Sequence, residues 1–365
     1  MEVNRYDLAV AGGGPAGTAA AITAARLGAR VLLLERGQLP RHKVCGEFVS
    51  GEALGVLRGL LRPDRQGLLD AAVRTRHVRV FMDDASVLFP IVPAASIARY
   101  ELDLALWQAA ECAGVHCRQQ VTVDRITQCE EGFDVGTTAG PCVAHSVINA
   151  SGRWSNLPAR AAGGKQKELN WLGLKAHFLP FDEGNSEERT TDLYFFSGGY
   201  CGVQPLTDGE INVCAMVRAD VARQLEDVFT LHSALRTRSR SWRRTTDVIA
   251  TSPLIFRAHQ AEYDGVLCAG DAAAFIDPFA GDGISMALRS GVLASETLNA
   301  FRRGAATRQQ AKQSYRREYE RRFARALRTA SGVRRLLSAP SPLRWLAFRA
   351  MRLPPIAEYV VSNTR

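Results

Sequence analysis

The 365-residue sequence predicts an α/β protein with a mostly parallel sheet, an inserted antiparallel sheet and a C-terminal helical region. Three observations support this fold class. Within residues 6–35, two apolar runs typical of buried parallel strands flank a helical segment. Between residues 160 and 250, apolar and polar residues alternate, as in antiparallel strands with one solvated face. A buried strand returns near residue 266, before a helix near 283–302, so the first domain is discontinuous in sequence.

The first strand leads into a glycine-rich turn. Gly12, Gly14 and Gly17 have the spacing Gly-x-Gly-x-x-Gly, and Glu35 ends the next strand, a combination typical of a dinucleotide-binding unit. The first glycine permits the tight turn, the second lets the backbone approach a pyrophosphate, and the third permits close packing of helix on strand. The helix N-terminus would face the phosphates, and Glu35 would accept hydrogen bonds from a ribose.

A second motif runs from Gly270 to Ile284. Asp271 ends a strand, and two closely spaced glycines, Gly281 and Gly283, open a helix. The acid suits the hydroxyl groups of a sugar chain, and the positive end of the helix suits an electron-accepting ring. The two motifs therefore predict two contact regions for one long cofactor.

Composition disfavours several other classes of protein. No apolar run approaches the ~18 residues of a transmembrane helix, and the first strand begins close to the N-terminus, so we expect neither a membrane span nor a signal peptide. The eight cysteines form no Cys-x-x-Cys pair, which predicts reduced thiols and a cytoplasmic location. The seven histidines show no metal-ligand spacing, so the sequence predicts no metal.

Positive charge is concentrated near the C-terminus. Residues 301–352 contain fourteen arginines and one lysine against two glutamates, a charge of +13, whereas the whole chain carries +9. An apolar stripe with a four-residue period predicts a helix over 301–337: Tyr315, Tyr319, Phe323 and Leu327. The arginines indicate either the solvated face of a packing helix or a surface for an anionic membrane or an acidic carrier protein, with possible peripheral membrane attachment. We expect no nucleic-acid partner.

Three further stretches support a family resemblance over residues 5–300. They are Lys43-Val-Cys-Gly-Glu47, Arg99-Tyr-Glu-Leu-Asp103 and Asn149-Ala-Ser-Gly-Arg-Trp-Ser155. Together with the two glycine motifs, they resemble the FAD-dependent oxidoreductases of the p-hydroxybenzoate hydroxylase-like superfamily. The similarity is greatest to the geranylgeranyl reductase branch, which is related to flavin monooxygenases and flavin halogenases. The third stretch lacks the Asp that many members have there.

The resemblance implies FAD as cofactor and NADPH or NADH as a transient electron donor. It implies these cofactor-binding residues: Gly12, Gly14, Pro15, Ala16, Gly17, Glu35, Arg36, Lys43, Cys45, Gly46, Arg99, Val121, Gly270, Asp271, Pro278, Gly281, Asp282, Gly283 and Ile284. Candidate catalytic or pocket residues are Cys45, Tyr200 and Gln204. Alternatively, Cys45 is an inert loop thiol, Tyr200 and Gln204 belong only to strand and turn structure, and Arg99 pairs with an acid on its own helix.

The implied architecture is a Rossmann-type FAD-binding domain with an inserted substrate-binding sheet. We assign residues 1–75, 97–158 and 251–300 to the first domain. Residues 76–96 and 159–250 form the second, and 301–365 form the basic helical region.

The sequence leaves the reaction open. A monooxygenase that hydroxylates or epoxidises a hydrophobic or carrier-bound small molecule through a peroxyflavin is favoured, because Gly202 and Gln204 replace aromatic residues typical of prenyl reductases. The intact Lys43–Gly46 loop favours the alternative, a reductase of C=C bonds in a prenyl or polyketide chain. The halogenase hallmark Trp-x-Trp-x-Ile-Pro is absent, which disfavours halogenation. A non-catalytic prenyl-binding protein, similar to GDP-dissociation inhibitors, is a third possibility.

Overall fold

A computed structural model of the chain describes residues 4–154, 157, 171–181, 189–252, 254, 259–337 and 349–350. The first sheet contains β1 (Arg5–Ala11), β2 (Val31–Glu35), β6 (His116–Gln119), β7 (Val123–Cys129), β8 (Gly132–Thr137), β9 (Cys142–Asn149), β16 (Glu262–Tyr263) and β17 (Val266–Cys268). The second contains β3 (Phe48–Val49), β4 (Val73–Met82), β5 (Ala85–Ser96), β10 (Trp171–Pro180), β11 (Thr190–Phe196), β12 (Gly199–Pro205), β13 (Ile211–Arg218), β14 (Trp242–Arg244) and β15 (Ile249–Thr251). The helices are α1 (Pro15–Arg26), α2 (Gly51–Leu60), α3 (Gly67–Ala71), α4 (Arg99–Cys112), α5 (Leu225–Thr230), α6 (Ser233–Arg238), α7 (Gly283–Arg302) and α8 (Arg308–Leu337).

The first sheet has a parallel centre in the order β17–β9–β1–β2–β6. All five residues of β2 are buried, as expected for a strand with both faces covered. Strand β1 pairs with β2 from Leu8 opposite Val31 to Ala11 opposite Leu34, so β1 and β2 reach the same edge together. The glycine-rich turn and Glu35 therefore meet there, at the carboxyl ends of the strands.

The second sheet is mostly antiparallel through β10, β13, β12 and β11, while β11 pairs in parallel with β4. The α/β fold class with an inserted second sheet is confirmed. The expectation of one solvated face is wrong for the central strands. Tyr194 packs beneath α5 and α6, whereas its neighbour Phe195 packs with Tyr200 on the opposite face, so both faces are covered.

The C-terminal region begins with a break in the helix. The sequence predicted one helix over 301–337, but α7 ends at Arg302, and Gly304 has a φ of 70° before α8 begins at Arg308. Of the predicted stripe, Tyr315, Tyr319 and Phe323 are fully buried. Tyr315 donates a hydrogen bond to the Cys268 carbonyl oxygen at 2.6 Å, so α8 is attached to the first sheet.

The exposed side of α8 carries the basic charge: Arg316, Arg317, Arg321, Arg322, Arg325 and Arg328. A membrane or carrier partner for this face stays a prediction, and residues 338–348 and 351–365 lie outside the described part of the chain. In that part, no helix combines the length and the hydropathy that a membrane span requires. The domain boundaries predicted above also stay predictions.

Helices α1 and α7 pack at backbone contact distance, which makes Gly291 a stability test. A Cβ at Gly291 would lie 2.1 Å from the Ala16 carbonyl oxygen. We expect Gly291→Ala to lower the free energy of unfolding by about 3 kcal/mol, because two helix backbones would have to separate. Chemical denaturation measures this change.

Gly332→Ala is the matched control, because Gly332 is exposed on α8 and a Cβ there would have no neighbour within 4 Å. It should raise the free energy of unfolding by about 0.5–1 kcal/mol. Equal effects of the two substitutions would contradict the packing argument.

Candidate active site

One cavity of about 730 Å³ is lined by residues of both sheets. At one end are the glycine-rich turn after β1, Glu35 at the end of β2 and the turn before α7. At the other end, strands β11 to β13 supply Leu193, Tyr200, Val203 and Met216. The cavity therefore joins a polar groove at strand ends to a more apolar chamber, the arrangement expected of a cofactor site beside a substrate site.

The glycine-rich turn leaves space at the N-terminus of α1. Gly12 has a φ of 110°, and a Cβ there would lie 2.3 Å from the Ala150 carbonyl oxygen. At Gly17 a Cβ would lie 1.7 Å from the Gly12 carbonyl oxygen. Gly14 is different: its Cβ would approach only the ends of two cationic side chains, Lys43 at 3.8 Å and Arg99 at 3.9 Å. Gly12 and Gly17 therefore have no room for a side chain within the turn, whereas Gly14 leaves a space that faces two positive charges.

Glu35 is held at the end of β2 by three hydrogen bonds. Its Oε2 accepts from the Gly13 amide at 2.7 Å, and its Oε1 accepts from the Gly37 amide at 2.8 Å and from Arg41 Nη2 at 2.6 Å. These bonds keep the carboxylate on the cavity wall beside the glycine-rich turn. This is where an adenosine ribose lies in a dinucleotide-binding unit.

A buried carboxylate positions the two cations. Asp103 is fully buried and accepts from Arg99 at 2.7 and 2.8 Å and from Lys43 at 2.8 Å. Burial alone would raise the pKa of Asp103, but Arg99 and Lys43 outweigh it and hold that pKa below its ordinary value. The predicted ion pair and the predicted position beside the cofactor groove are thus both present for Arg99.

The second motif forms the opposite wall. Gly270 has a φ of 60°, and its amide donates to Ser290 Oγ at 2.9 Å, which turns the chain before Asp271. Asp271 lies 3.6 Å from Arg153 Nε. Gly283 begins α7, and a Cβ there would meet nothing within 4 Å. The N-termini of α1 and α7 therefore both reach the cavity.

The apolar chamber has an aromatic wall. The Tyr200 ring lies 5.5 Å from that of Phe195 and 6.1 Å from that of Phe279, between centroids. Gln204 lies four residues farther along β12 and is also buried, accepting from Thr191 Oγ1 at 2.5 Å and donating to Ser96 Oγ. Thr191, Tyr200 and Gln204 all line the cavity, so the chamber includes a small polar patch.

The structure brings nearly all of the predicted site residues to this cavity. The lining includes Gly12, Gly14, Pro15, Ala16, Glu35, Arg36, Lys43, Cys45, Gly46, Arg99, Val121, Tyr200, Gln204, Gly270, Asp271, Pro278, Gly281, Gly283 and Ile284. Gly17 and Asp282 are not among the lining residues. Gly17 contacts the turn itself, and Asp282 accepts from Ser50 Oγ at 3.0 Å beneath the surface of the cavity. Ser155 lies outside the described residues.

Sequence reasoning missed a buried charged cluster beside the Lys43–Glu47 loop. Glu47 Oε1 accepts from Lys175 Nζ at 2.5 Å, and its Oε2 lies 2.8 Å from His177 Nε2. All three side chains are at most 4% exposed. Burial favours a raised pKa for Glu47, but His177 and Lys175 keep it below its ordinary value. A sequence signal for this cluster does exist: Lys175 and His177 lie two residues apart, and therefore on the same face, within the otherwise apolar strand β10.

The cavity fits FAD on the chemistry of its own residues. Gly14 leaves a cradle that a side chain would fill, two cations face this cradle, and the α1 N-terminus has no side-chain cap. These groups would hold a pyrophosphate, while Glu35 would hold a ribose and Asp271 a hydroxyl of the sugar chain. The α7 N-terminus would then lie against the ring system.

Fold and site define the class of protein: a dinucleotide-binding chain whose second sheet walls an apolar chamber. Residues 5–330 match the family model described as FAD binding domain, so the chain belongs to this family. It is an FAD-dependent oxidoreductase, and its predicted relation to the geranylgeranyl reductase-like proteins and flavin halogenases is confirmed.

Named relatives include both reductases and halogenating enzymes. The chain is 28% identical to menaquinone reductase of Mycolicibacterium smegmatis, over 98% of this chain and 92% of the relative. It is 27% identical to digeranylgeranylglycerophospholipid reductase of Methanothrix thermoacetophila, over 80% and 78%. The solved structure of the flavin-dependent brominase Bmp2 superimposes with a TM-score of 0.83 at 20% identity, over 99% and 93%. At this level of identity, the similarity to the brominase shows a shared fold and nothing further.

Removing the Asp271 carboxylate should weaken FAD binding. We expect Asp271→Ala to raise the Kd for FAD at least tenfold, since a charge-assisted hydrogen bond contributes about 1.5–3 kcal/mol. Quenching of flavin fluorescence on titration of apoprotein measures the Kd. Asp134→Ala, at an exposed position on β8, is the control and should leave it unchanged. An unchanged Kd for Asp271→Ala would remove this residue from the cofactor site.

Asp277 should make stability depend on pH. Burial raises the pKa of this carboxyl to about 7, although Arg334 Nε, 3.8 Å away, opposes the shift. Ionisation of the folded protein is therefore unfavourable, and stability falls as pH rises from about 4 to about 7. Relative to wild type, Asp277→Asn should gain about 3 kcal/mol between pH 5 and pH 8, because two pH units separate pH 5 from this pKa and each corresponds to ~1.4 kcal/mol.

Urea denaturation at the two pH values measures this difference for Asp277→Asn. Asp134→Asn, at an exposed site, should follow the wild-type pH profile. Parallel profiles for wild type and Asp277→Asn would show that this carboxyl has no raised pKa.

Proposed function

We propose that this protein is an FAD-dependent reductase that adds hydrogen across a C=C bond of a prenyl chain carried by a quinone or a lipid. The observation that carries the proposal is the continuity of the cavity, in which the cofactor groove opens directly into an apolar chamber. Two relatives named as reductases of menaquinone and of a digeranylgeranyl lipid support this substrate class. The intact Lys43–Glu47 loop on the cavity wall supports it as well.

The residues of the chain would bind and orient both molecules. When bound, FAD would supply hydride chemistry, with NADPH or NADH as the hydride source, and a proton from solvent would complete the addition of two hydrogen atoms. Lys43 and Arg99, already fixed by Asp103, would neutralise the pyrophosphate without reorganising. The N-terminus of α7 would favour negative charge on the ring beside it.

The aromatic wall would exclude water from the reacting atoms. Tyr200, Phe195 and Phe279 are all in mutual ring contact, and the Tyr200 hydroxyl is buried. Burial and then the nearby Asp277 raise the pKa of Tyr200 well above its ordinary value, so its Oη keeps its proton at neutral pH. The chamber would therefore present no additional negative charge to an apolar chain.

A specific observation also favours oxygenation, the reaction suggested by the sequence. Gly202 and Gln204 both line the chamber at positions where prenyl reductases carry aromatic residues. A Cβ at Gly202 would make only ordinary contacts, at 3.4 Å with Leu193 and 3.6 Å with the Cys214 carbonyl oxygen. The chamber is thus wider and more polar here, which suits a ring with a polar substituent. Monooxygenation stays the second candidate.

Product mass under controlled oxygen separates the two candidates. The FAD-loaded protein is incubated with NADPH and a panel of menaquinones, geranylgeranyl lipids and alkylated phenols, with and without oxygen. A reductase of C=C bonds yields a product about two mass units heavier under both atmospheres, because it adds two hydrogen atoms, and for the menaquinones this gain must persist after the quinone ring is reoxidised in air, since a hydroquinone is also two units heavier. A product about sixteen units heavier, formed only with oxygen, would replace the reductase proposal by the oxygenase.

A further inference from the structure

Three potential metal ligands from distant parts of the sequence meet at the cavity wall. They are His42 and Glu47, on the loop between β2 and α2, and His177 on β10. One nitrogen of each imidazole and one carboxylate oxygen all lie within 4.8 Å of one another. We infer that these three side chains, named here the triad, form a binding site for a divalent transition-metal ion. This site is independent of the proposed function, since neither of the reactions considered above uses it.

The carboxylate is arranged for coordination through a single oxygen. Glu47 Oε1 is occupied, because it accepts from Lys175 Nζ at 2.5 Å and from the Arg99 amide at 2.8 Å. Oε2 is directed at His177 Nε2, 2.8 Å away. Ligand atoms that share a metal at bond lengths of ~2.0–2.2 Å lie about 3 Å apart, so a small separation of this pair, with release to solvent of the proton that the two atoms share, would admit an ion.

The donor set selects a class of metal. Two imidazoles and one carboxylate suit zinc, iron(II), cobalt(II) or manganese(II), and are a poor match for calcium, which prefers six to eight oxygens. No thiolate belongs to the triad. Three protein ligands also leave coordination positions for water or substrate.

Negative charge and neighbouring rings surround the triad. The second nitrogen of His177, Nδ1, lies 3.8 Å from Glu210 Oε2, which is beyond hydrogen-bond distance, so Glu210 contributes negative charge near the ring. The His42 ring lies 5.0 Å from the Tyr100 ring and 5.2 Å from the His177 ring, between centroids. Within the described residues, His42 Nδ1 is buried and has no hydrogen-bond partner.

Charge in this region partly opposes and partly favours a cation. Lys175 is buried against Glu47 and repels a second positive charge, whereas Glu47 and Glu210 together supply two negative charges. Lys175 binds the oxygen that the ion would not use. The ammonium would therefore weaken affinity without taking the position of the ion, as a neighbouring charge does at ~4–6 Å.

The triad lies where an ion could act on a bound molecule. His42 and Glu47 both line the cavity, next to Cys45. An ion bound there would have its open positions on the cavity side, where it could polarise a carbonyl or hydroxyl oxygen of a ligand. The inference thus concerns a second binding element of the cavity, separate from the flavin groove.

Metal binding is tested on the full-length FAD-loaded protein without any substrate. The protein is freed of metal with a chelator and titrated with cobalt(II), followed by calorimetry and by visible absorption against the flavin background. We expect one equivalent, with ligand-field bands but no sulfur-to-cobalt charge-transfer band. Zinc should compete for the same site. Binding through the cysteines would produce the charge-transfer band and would overturn the proposal.

Variants locate the site. His42→Ala and His177→Ala should each weaken cobalt binding at least tenfold, because each removes one of three ligands. His145→Ala is the matched control, since His145 is stacked on Phe301 and is not among the residues that line the cavity, so this variant should bind cobalt as wild type does. His42 is only half-buried, so His42→Ala should keep the fold, which the retained FAD absorbance verifies.

Two further results would overturn the assignment. One is less than a tenth of an equivalent of bound cobalt in folded wild-type protein, which would leave the triad as an ion-paired cluster only. The other is unchanged affinity in folded His42→Ala. Neither result bears on the proposed reaction, and failure of the product assay does not bear on metal binding.

Discussion

The carboxylate of Glu47 is the interaction on which the cavity depends. It accepts a hydrogen bond from the first amide of α4, beneath the parallel sheet, and it pairs with Lys175 and His177 on the second sheet. Its own backbone has a φ of 58°, an uncommon conformation for a residue other than glycine. A buried carboxylate with fewer partners would be strongly unfavourable, so these bonds must form together. Together they hold the Lys43–Glu47 loop between the sheets.

Two buried aspartates near the cavity show how the distance to the nearest cation decides whether a carboxyl group is ionised. Asp103 contacts Arg99 and Lys43 within 2.8 Å, and these cations outweigh the cost of burial, so its pKa is lowered. Asp277 has a cation only at 3.8 Å, and burial dominates, raising its pKa to about 7. The first acid serves as a permanent anion that orients two cations. The second changes its charge within the physiological range.

The predicted elements differ in how far local sequence decided them. The β1–α1–β2 unit was predicted closely, because its glycine spacing and uniformly apolar strands leave few alternatives. An antiparallel sheet was predicted between residues 160 and 250, but the covering of both faces was not foreseen, because α5 and α6 are too short to give a periodic signal. The break between α7 and α8 depends on the positive φ of Gly304. It was not predicted, because the arginines on both sides of Gly304 suggest a continuous helix.

By itself, the sequence determined the dinucleotide-binding turn, the second cofactor motif and nineteen of the residues that line the cavity, because each acts through local spacing along the chain. Tertiary structure alone decided that Lys43 shares Asp103 with Arg99, and that His42, Glu47, Lys175 and His177 meet. Glu47 and His177 are 130 residues apart in sequence. Contacts between loop and strand at such separation follow from how two sheets dock, and no local period encodes that arrangement.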